Sequence, residues 1–226
     1  MKNNIDYSKF DRKSQTAFWW RNEWQFKGVY SAAAIFGLIK CYIGEKIIET
    51  GSGDGALAKF IKEKKSNVCV MATDLAPKTE FIQRADCTNL VFKDNSFDTY
   101  ISTDLIEHLN DKDLSSCIRE ACRVVKKGGT IIFSTVNDEI LSRSMIVCPY
   151  CNKKYHWWGH CQVFDEERLN TIAKENNLEI ERVFKTNLWF LARYPIFSKI
   201  FYFLLLDKIL NFQPMTADIL VVYKKS

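Results

Sequence analysis

A glycine-rich turn with acidic neighbours is the clearest chemical feature of the chain. The stretch from Glu49 to Gly55 follows an apolar run and precedes a helical pattern that begins at Ala56. Its glycines allow a tight turn and a close approach of the backbone to a ligand, while the helix that follows offers free N–H groups. The pattern predicts a nucleotide-type cofactor site, with a tight turn that binds no ligand as the simpler alternative.

The ligand of this turn depends on the acidic residues around it. Asp74 follows a second apolar run, where a carboxylate can accept hydrogen bonds from both hydroxyls of a ribose. Glu49 adds a second acidic group at the end of the first run. Gly51, Gly53 and Ala56 also satisfy the tolerant form of the dinucleotide fingerprint, so a nicotinamide or flavin dinucleotide stays an alternative at this point.

A second group of reactive side chains lies in a short polar segment later in the chain, which holds three of the eight cysteines and two of the three histidines. Cys148 and Cys151 form a CxxC pair. His156 and His160 follow as HxxxH, and the two pairs together match the ligand spacing of a structural zinc site. We predict a structural zinc ion on these four residues, with Cys161 as a substitute for one histidine. A metal-free loop and a redox CxxC are the alternatives, although a redox CxxC usually opens a helix after a strand.

The elements that position these residues alternate between strand and helix patterns. Strands are predicted at Lys46–Thr50, Val68–Thr73, Phe97–Ser102, Thr130–Thr135, Glu179–Phe184 and Ile219–Tyr223. Helices are predicted at Ala56–Lys64, Asp111–Val125 and Asp165–Asn176, with one or two more within Ser14–Tyr42. This alternation indicates an α/β fold, a mostly parallel sheet with helices on both faces. We expect one domain over residues 1–226, with an N-terminal helical lid at 1–43 and insertions at 142–163 and 188–215.

The composition is that of a globular protein of 226 residues, 47% hydrophobic and 26% charged. The net charge of +5 is modest and the lysines are scattered, so nucleic acid is not indicated as a partner. The N-terminus lacks the apolar stretch of a secretory signal, and the longest apolar run, 200–206, is far short of the roughly 18 residues of a membrane span. We expect a cytoplasmic protein whose cysteines are thiols or metal ligands.

Several stretches beyond the glycine turn occur in the order known from one enzyme family. They are Glu49–Gly55, Asp74, Arg84–Cys87, Phe92–Asp98, Glu107–Leu109 and Arg123–Thr130. On these stretches the chain resembles the class I S-adenosylmethionine-dependent methyltransferases, in particular the bacterial group that includes ubiquinone-pathway enzymes. The resemblance implies a Rossmann-like fold with a seven-stranded sheet and S-adenosyl-L-methionine as cofactor. Lys127 replaces the proline that usually precedes the paired glycines, a difference confined to a turn.

The resemblance also implies roles for individual residues. Glu49 and the turn at Gly51–Gly55 would border the methionine and ribose of the cofactor, and Asp74 would hold the ribose hydroxyls. Asp86 and Cys87 would lie at the adenine, with a turn cap as the alternative role of Asp86. The predicted cofactor site consists of Glu49, Gly51, Ser52, Gly53, Gly55, Asp74, Leu75, Asp86, Cys87 and Thr103.

His108 is the predicted catalytic residue. Methyl transfer is a direct displacement, so the protein aligns the acceptor and, for a hydroxyl, supplies a base. The acceptor is expected at the strand ends where His108 lies, and an ordinary histidine pKa near neutrality suits proton removal. Asp104, Glu107 and His108 also resemble the metal-binding segment of some catechol-type O-methyltransferases. In many relatives, however, the Glu-His-Leu triplet is architectural.

Two apolar segments complete the expectations. The aromatic cluster of Phe18, Trp19 and Trp20 beside Arg21 resembles the helix that covers the cofactor in this group, with core packing as the alternative. The apolar stretch 188–212 is interpreted as helices over the sheet edge that border the acceptor pocket. Core packing, dimer packing and peripheral membrane contact are its alternatives.

These patterns lead to one functional expectation and two alternatives. We expect an S-adenosylmethionine-dependent methyltransferase that methylates an oxygen of a small molecule or of a glycan intermediate. The alternatives are an NAD(P)-binding oxidoreductase and a non-catalytic, zinc-stabilised binding module. S-adenosylhomocysteine and NAD(H) titrations distinguish the three.

Overall fold

The computed structural model describes residues 29–147, 152–188 and 218–226. Its helices and strands in chain order are α1 (Val29–Ile39), β1 (Lys46–Thr50), α2 (Ala56–Lys64), β2 (Cys69–Asp74), β3 (Gln83–Arg84), β4 (Phe97–Thr103), α3 (Asp111–Val124), β5 (Val125–Val136), β6 (Met145–Val147), β7 (Lys154–His156), α4 (Glu166–Glu175), β8 (Leu178–Thr186) and β9 (Asp218–Lys225). Single 3-10 turns occupy Ile106–His108 and Leu141–Ser144.

Seven of these strands form one sheet in the order β3-β2-β1-β4-β5-β9-β8. The five strands from β3 to β5 pair in parallel. β9 runs antiparallel to both of its neighbours, β5 and β8. The predicted seven-stranded, mostly parallel sheet is therefore confirmed, and β9 is the reversed strand among those described.

Helices cover both faces of the sheet because neighbouring strand residues point to opposite sides. Tyr100 packs in the cluster that contains α3 and α4, whereas Ile101 packs in the cluster that contains α1 and α2. The same division separates Ile131 from Ile132 on β5. Strands buried on both faces are expected in a parallel sheet, and they explain the continuous apolar runs of the sequence.

Two of the helices begin at side-chain caps that the sequence carries. Asn110 accepts a hydrogen bond from the backbone N–H of Asp113 at the start of α3. Asp165 caps α4 in the same way, through the N–H of Arg168. Such caps satisfy N–H groups that have no partner within the helix, and each contributes about 1 kcal/mol to stability.

The segment at 142–163 contains a two-stranded antiparallel hairpin of β6 and β7, separate from the main sheet. Residues 148–151, between those strands, lie outside the described residues, as do the predicted lid cluster at 18–21 and most of the stretch 188–215. None of the described helices is both long and apolar enough to cross a membrane.

Candidate functional site

The glycine turn joins β1 to α2 at the carboxyl edge of the sheet. Gly51, Gly53 and Gly55 all have positive φ values, of 68°, 57° and 74°. A Cβ at Gly51 would lie 3.0 Å from the side chain of Leu105, so this position has neither the backbone freedom nor the space for another residue. A Cβ at Gly53 would meet no atom of the described residues within 4 Å, which leaves room among them for a ligand against the backbone.

Asp74 ends β2 and holds the turn through both carboxylate oxygens. Its Oδ2 accepts a hydrogen bond from the N–H of Gly53 at 2.9 Å, and its Oδ1 accepts one from the N–H of Ala76 at 2.8 Å. Ser52 also attaches the turn to β2, because its N–H donates to the carbonyl of Thr73 at 3.0 Å. The structure thus brings the predicted ribose-binding carboxylate against the glycine turn.

Glu49, at the end of β1, is a buried acid with an unsatisfied atom. Its side chain is 2% exposed, and its Oε2 has no hydrogen-bond partner among the described residues. Its pKa is raised to about 8, mainly by burial and also by the nearby carboxylates of Asp54 and Asp74, while hydrogen bonds from Ser52 and Ala58 oppose the shift. A buried carboxyl oxygen without a partner requires an explanation, and a polar ligand group supplies one.

The residues implied at the adenine follow β3. The Oδ1 of Asp86 accepts hydrogen bonds from the N–H and the hydroxyl of Thr88, at 2.9 and 2.8 Å. Asp86 thus caps a turn through Oδ1, and its implied role at the adenine stays a prediction. The N–H of Ala85 donates to the carbonyl of Asp74 at 3.0 Å, so this turn is attached directly to the end of β2. Three further residues that the resemblance implies at the cofactor are half-buried. Leu75 and Cys87 follow β2 and β3, and Thr103 ends β4.

His108 ends the 3-10 turn after β4 and is 7% exposed. Its pKa is lowered to about 3, mainly by burial and also by the neighbouring imidazole of His160, although a hydrogen bond with the backbone of Gly159 opposes this shift. The sequence led us to expect an ordinary pKa near neutrality. The pKa in the structure differs because the ring is buried and lies near two other imidazoles, so His108 is neutral at physiological pH and a weaker base than expected.

Glu107 lies beside His108 and is 1% exposed. Its Oε2 accepts a hydrogen bond from the hydroxyl of Thr135 at 2.9 Å, whereas its Oε1 has no partner among the described residues. Burial, followed by the charge of Asp104, raises its pKa well above the ordinary value. The main-chain carbonyl of Glu107 accepts from the N–H groups of Cys161 and Gln162, at 2.8 and 3.1 Å, which attaches the hairpin segment to this turn.

The two histidines of the hairpin segment converge on Glu139. The Nδ1 of His160 lies 2.6 Å from Oε2 of Glu139, and the Nε2 of His156 lies 3.2 Å from its Oε1. The N–H of His160 donates to Nδ1 of His156 at 3.1 Å, and the two rings stack with centroids 4.7 Å apart. The ring of His160 also contacts that of His108 edge to face, with a centroid distance of 4.7 Å.

The predicted zinc ligands are only partly described. His156 and His160 are near each other, as the prediction requires, whereas Cys148 and Cys151 lie outside the described residues. Cys161, the predicted substitute, donates its thiol to the carbonyl of Leu109 at 3.2 Å, and burial raises its pKa to about 12. Cys161 is thus a protonated thiol in the described structure, and its role as a substitute zinc ligand stays a prediction.

Two groups among the described residues place potential metal ligands together. The ligand atoms of Glu107, His108 and His160 lie within 4.8 Å of one another, and so do those of Glu139, His156 and His160. Sequence reasoning paired Glu107 with Asp104 and gave Glu139 no role. No local pattern signals either histidine–carboxylate pairing, because the partners meet only in the folded chain.

Comparison with known proteins places this site within a known fold. A family model described as a methyltransferase domain matches residues 48–133. The ubiquinone biosynthesis O-methyltransferase of Aliivibrio fischeri is 23% identical over 158 residues, which cover 62% of this chain and 67% of that protein. The enzyme of the same name from Escherichia coli is 24% identical over 158 residues, covering 60% of this chain and 63% of that protein. The match thus spans about two thirds of the length of these relatives.

Solved structures show the same architecture. An S-adenosylmethionine-dependent methyltransferase from Mesorhizobium loti superposes with a TM-score of 0.58 at 17% identity, covering 87% of this chain and 100% of that chain. The 1,6-didemethyltoxoflavin-N1-methyltransferase of Burkholderia thailandensis, solved with S-adenosylhomocysteine, gives 0.63 at 10% identity, covering 95% and 87%. The [4+2]-cyclase SpnF gives 0.58 at 14% identity, covering 91% and 83%. The chain has the class I methyltransferase fold, and since a cyclase shares it, the fold alone does not fix the reaction.

Proposed function

We propose that the protein is an S-adenosylmethionine-dependent methyltransferase that methylates an oxygen of a small molecule or of a glycan intermediate. The observation that carries the proposal is the buried Oε2 of Glu49, which has no hydrogen-bond partner within the described part of the chain and lies beside the glycine turn that Asp74 holds in place. The methyltransferase domain match over residues 48–133 supports the same reaction class.

The residues present fit this cofactor. S-adenosylmethionine carries an ammonium and a sulfonium group, and it supplies an electrophilic methyl group when bound. The Glu49 carboxyl is suited to the ammonium, because a positive donor satisfies its free oxygen and favours its ionised form. Asp74 presents a fixed carboxylate to the ribose hydroxyls, and the open face of Gly53 admits the ligand against the backbone.

Glu49 argues against a dinucleotide. A pyrophosphate at this turn would bring negative charge next to the buried carboxyl of Glu49 and keep it from ionising, whereas a positive group favours its ionised form. An acid at the end of the second strand also belongs to the dinucleotide fingerprint, so Asp74 fits both cofactors and the distinction rests on Glu49. The charge of the site therefore favours the cationic cofactor over NAD(H).

The choice of oxygen as the acceptor atom rests on two observations. The curated relatives described above are named as O-methyltransferases. In addition, a hydroxyl acceptor has to lose a proton, and imidazole and carboxylate groups lie at the end of β4, the strand next to β1. The acceptor itself is proposed only as a class.

Isothermal titration calorimetry with S-adenosylhomocysteine and NADH tests the proposal. We expect micromolar-order binding of S-adenosylhomocysteine and no binding of NADH. Asp74→Ala should weaken binding by about 1.5 to 3 kcal/mol, since it removes charge-assisted hydrogen bonds. Glu175→Ala, an exposed carboxylate deletion on α4, is the matched control and should leave the affinity unchanged. Unchanged affinity in a folded Asp74→Ala variant would show that the cofactor is placed wrongly.

The remaining expectations stay predictions. A structural zinc ion on Cys148, Cys151, His156 and His160 is tested by elemental analysis of protein purified without a chelator or a metal-affinity column. A cytoplasmic location, and peripheral membrane contact through the stretch 188–215, are tested by cell fractionation and by vesicle co-sedimentation.

A further inference from the structure

A buried cluster at the end of β4 combines one carboxylate and two imidazoles. Glu107, His108 and His160 are 1%, 7% and 8% exposed, and their ligand atoms lie within 4.8 Å of one another. Glu107 and His108 belong to the turn after β4, whereas His160 comes from the hairpin segment. Hydrogen bonds from Cys161 and Gln162 to the carbonyl of Glu107 tie these two segments together.

One oxygen in this cluster has no partner. The hydroxyl of Thr135 donates to Oε2 of Glu107, but Oε1 has no hydrogen-bond partner among the described residues. Leaving a carboxyl oxygen buried and unsatisfied is costly, and a bound cation both supplies the missing partner and favours the ionised form of the acid. The free oxygen indicates that a cation belongs beside Glu107.

The hydrogen bonds of the histidine rings favour this cluster as a metal site over the neighbouring cluster of Glu139, His156 and His160. Glu139 accepts from Nδ1 of His160 at 2.6 Å, so the ring proton is on Nδ1 and Nε2 keeps its lone pair. His156 accepts from the N–H of His160 through Nδ1, so its proton is on Nε2, which lies 3.2 Å from Oε1 of Glu139 but makes no hydrogen bond among the described residues. His156 thus has no nitrogen available as a ligand in this arrangement, whereas His160 has one.

His108 has a comparable supporting contact, since its ring is hydrogen-bonded to the backbone of Gly159. Histidines that bind metals almost always hydrogen-bond through the other ring nitrogen to a carboxylate or a backbone carbonyl, which fixes their orientation. His108 and His160 both have such a partner, and Thr135 orients Glu107 in the same manner.

We propose that Glu107, His108 and His160 form a binding site for a divalent transition-metal ion. Two imidazoles and one carboxylate, without a thiolate, suit zinc, manganese, cobalt or iron(II) better than magnesium or calcium, which prefer oxygen ligands. Ligands around one ion at about 2.1 Å lie about 3.4 Å apart, so small side-chain rotations bring the three atoms together. Three protein ligands leave a coordination position open.

The open position gives the ion a role that rests on the proposed function. A metal ion lowers the pKa of a bound hydroxyl, which removes the need for a strongly basic side chain. The site lies after β4, and β4 pairs with β1, whose end carries Glu49 of the proposed cofactor site. An acceptor hydroxyl bound to the ion would therefore lie at the same sheet edge as the cofactor.

Cobalt(II) substitution tests the metal site directly, without an acceptor substrate. Chelator-treated protein is titrated with cobalt(II) chloride, and visible absorption is recorded together with the bound metal after gel filtration. We expect one cobalt ion in a nitrogen and oxygen environment, with no thiolate-to-metal charge-transfer band from this site. Glu107→Gln should weaken cobalt binding more than tenfold, and Glu139→Gln, which removes a positioning residue, should weaken it about 10- to 100-fold.

A Cys148→Ser/Cys151→Ser double variant separates this site from the predicted zinc site, which shares His160. The double variant should retain the cobalt ion that Glu107→Gln loses. Metal bound only in proteins that keep both cysteines, with a thiolate charge-transfer band, would overturn the proposal. So would the absence of cobalt binding at millimolar concentration in folded wild-type protein, an experiment that needs no variant.

Titration of the same samples with S-adenosylhomocysteine keeps the two proposals distinguishable. Cobalt binding without S-adenosylhomocysteine binding would leave the metal site in place and refute the proposed function. S-adenosylhomocysteine binding without cobalt binding would refute the metal site and leave the proposed function in place.

Discussion

Glu49 gives a stability prediction whose sign and size follow from its burial. The pKa of its carboxyl is raised from 4.5 to about 8, mainly because burial disfavours the charged form. Between these two values the folded protein holds a proton on Glu49 that the unfolded chain has released. Glu49→Gln replaces the carboxyl with a neutral group of nearly the same shape, and it should therefore remove this pH dependence.

The size of the effect follows from proton linkage. Because the folded state binds the additional proton, the free energy of unfolding decreases as pH rises from 4.5 to about 8, and levels off above it. The two pKa values differ by about 3.5, and each pKa unit corresponds to about 1.4 kcal/mol. The free energy of unfolding therefore changes by on the order of 5 kcal/mol. For a chain of this length, that free energy corresponds to roughly 10 to 20 °C in Tm. Glu49→Gln should thus match the wild type near pH 4.5 and exceed its stability most above pH 8.

Urea denaturation followed by tryptophan fluorescence, at pH values from 5 to 9 and without cofactor, measures this difference. Glu63→Gln, which changes an exposed glutamate on α2, is the matched control and should follow the wild-type curve. A constant difference between Glu49→Gln and the wild type across this range would refute the reasoning. It would show that Glu49 is already ionised in the folded protein at neutral pH.

Two further predictions concern turnover and packing. His108→Ala should keep its affinity for S-adenosylhomocysteine and lower turnover roughly a hundredfold or more, whether His108 acts as a base or as a metal ligand. Wild-type turnover by this variant, measured with any identified acceptor, would make His108 a structural residue. Gly129→Ala should destabilise the fold by about 1 to 3 kcal/mol, since the added Cβ would lie 2.7 Å from the carbonyl of Asp98 and 2.9 Å from that of Lys126. Thermal unfolding measures the change, and an unaltered Tm would contradict the close packing seen there.

Sequence patterns predicted most of the main sheet because its signals are local. The strand at Lys46–Thr50 and the helix at Ala56–Lys64 have the predicted bounds. An apolar run that meets a glycine turn marks both ends of such a unit. The start of β5 was predicted at Thr130, because the paired glycines before it indicated a turn. In the structure β5 begins at Val125, and its pairing with β4 shifts register between Phe97 and Thr99, next to those glycines.

Other elements have no local signal. β3 has two residues and exists only through its pairing with the end of β2, so no periodicity could reveal it. The partners of the hairpin histidines escaped prediction for the same reason. Glu139 meets His160 across 21 residues of chain, in a fold where the hairpin segment returns to the turn after β4. Spacing within a motif predicts its ligands only when all of them lie in that motif.

The two halves of the proposed site come from different parts of the fold. The proposed cofactor residues Glu49 and Asp74 belong to the common sheet, which a [4+2]-cyclase shares, whereas His160 belongs to the hairpin segment. The hairpin segment reaches the sheet edge through hydrogen bonds to the carbonyl of Glu107. In the proposed mechanism the sheet therefore binds the methyl donor, and the hairpin segment completes the group that activates the acceptor. Changes that loosen the hairpin segment should consequently reduce turnover and metal binding while cofactor affinity survives, since no contact of the glycine turn or of Asp74 described above involves that segment.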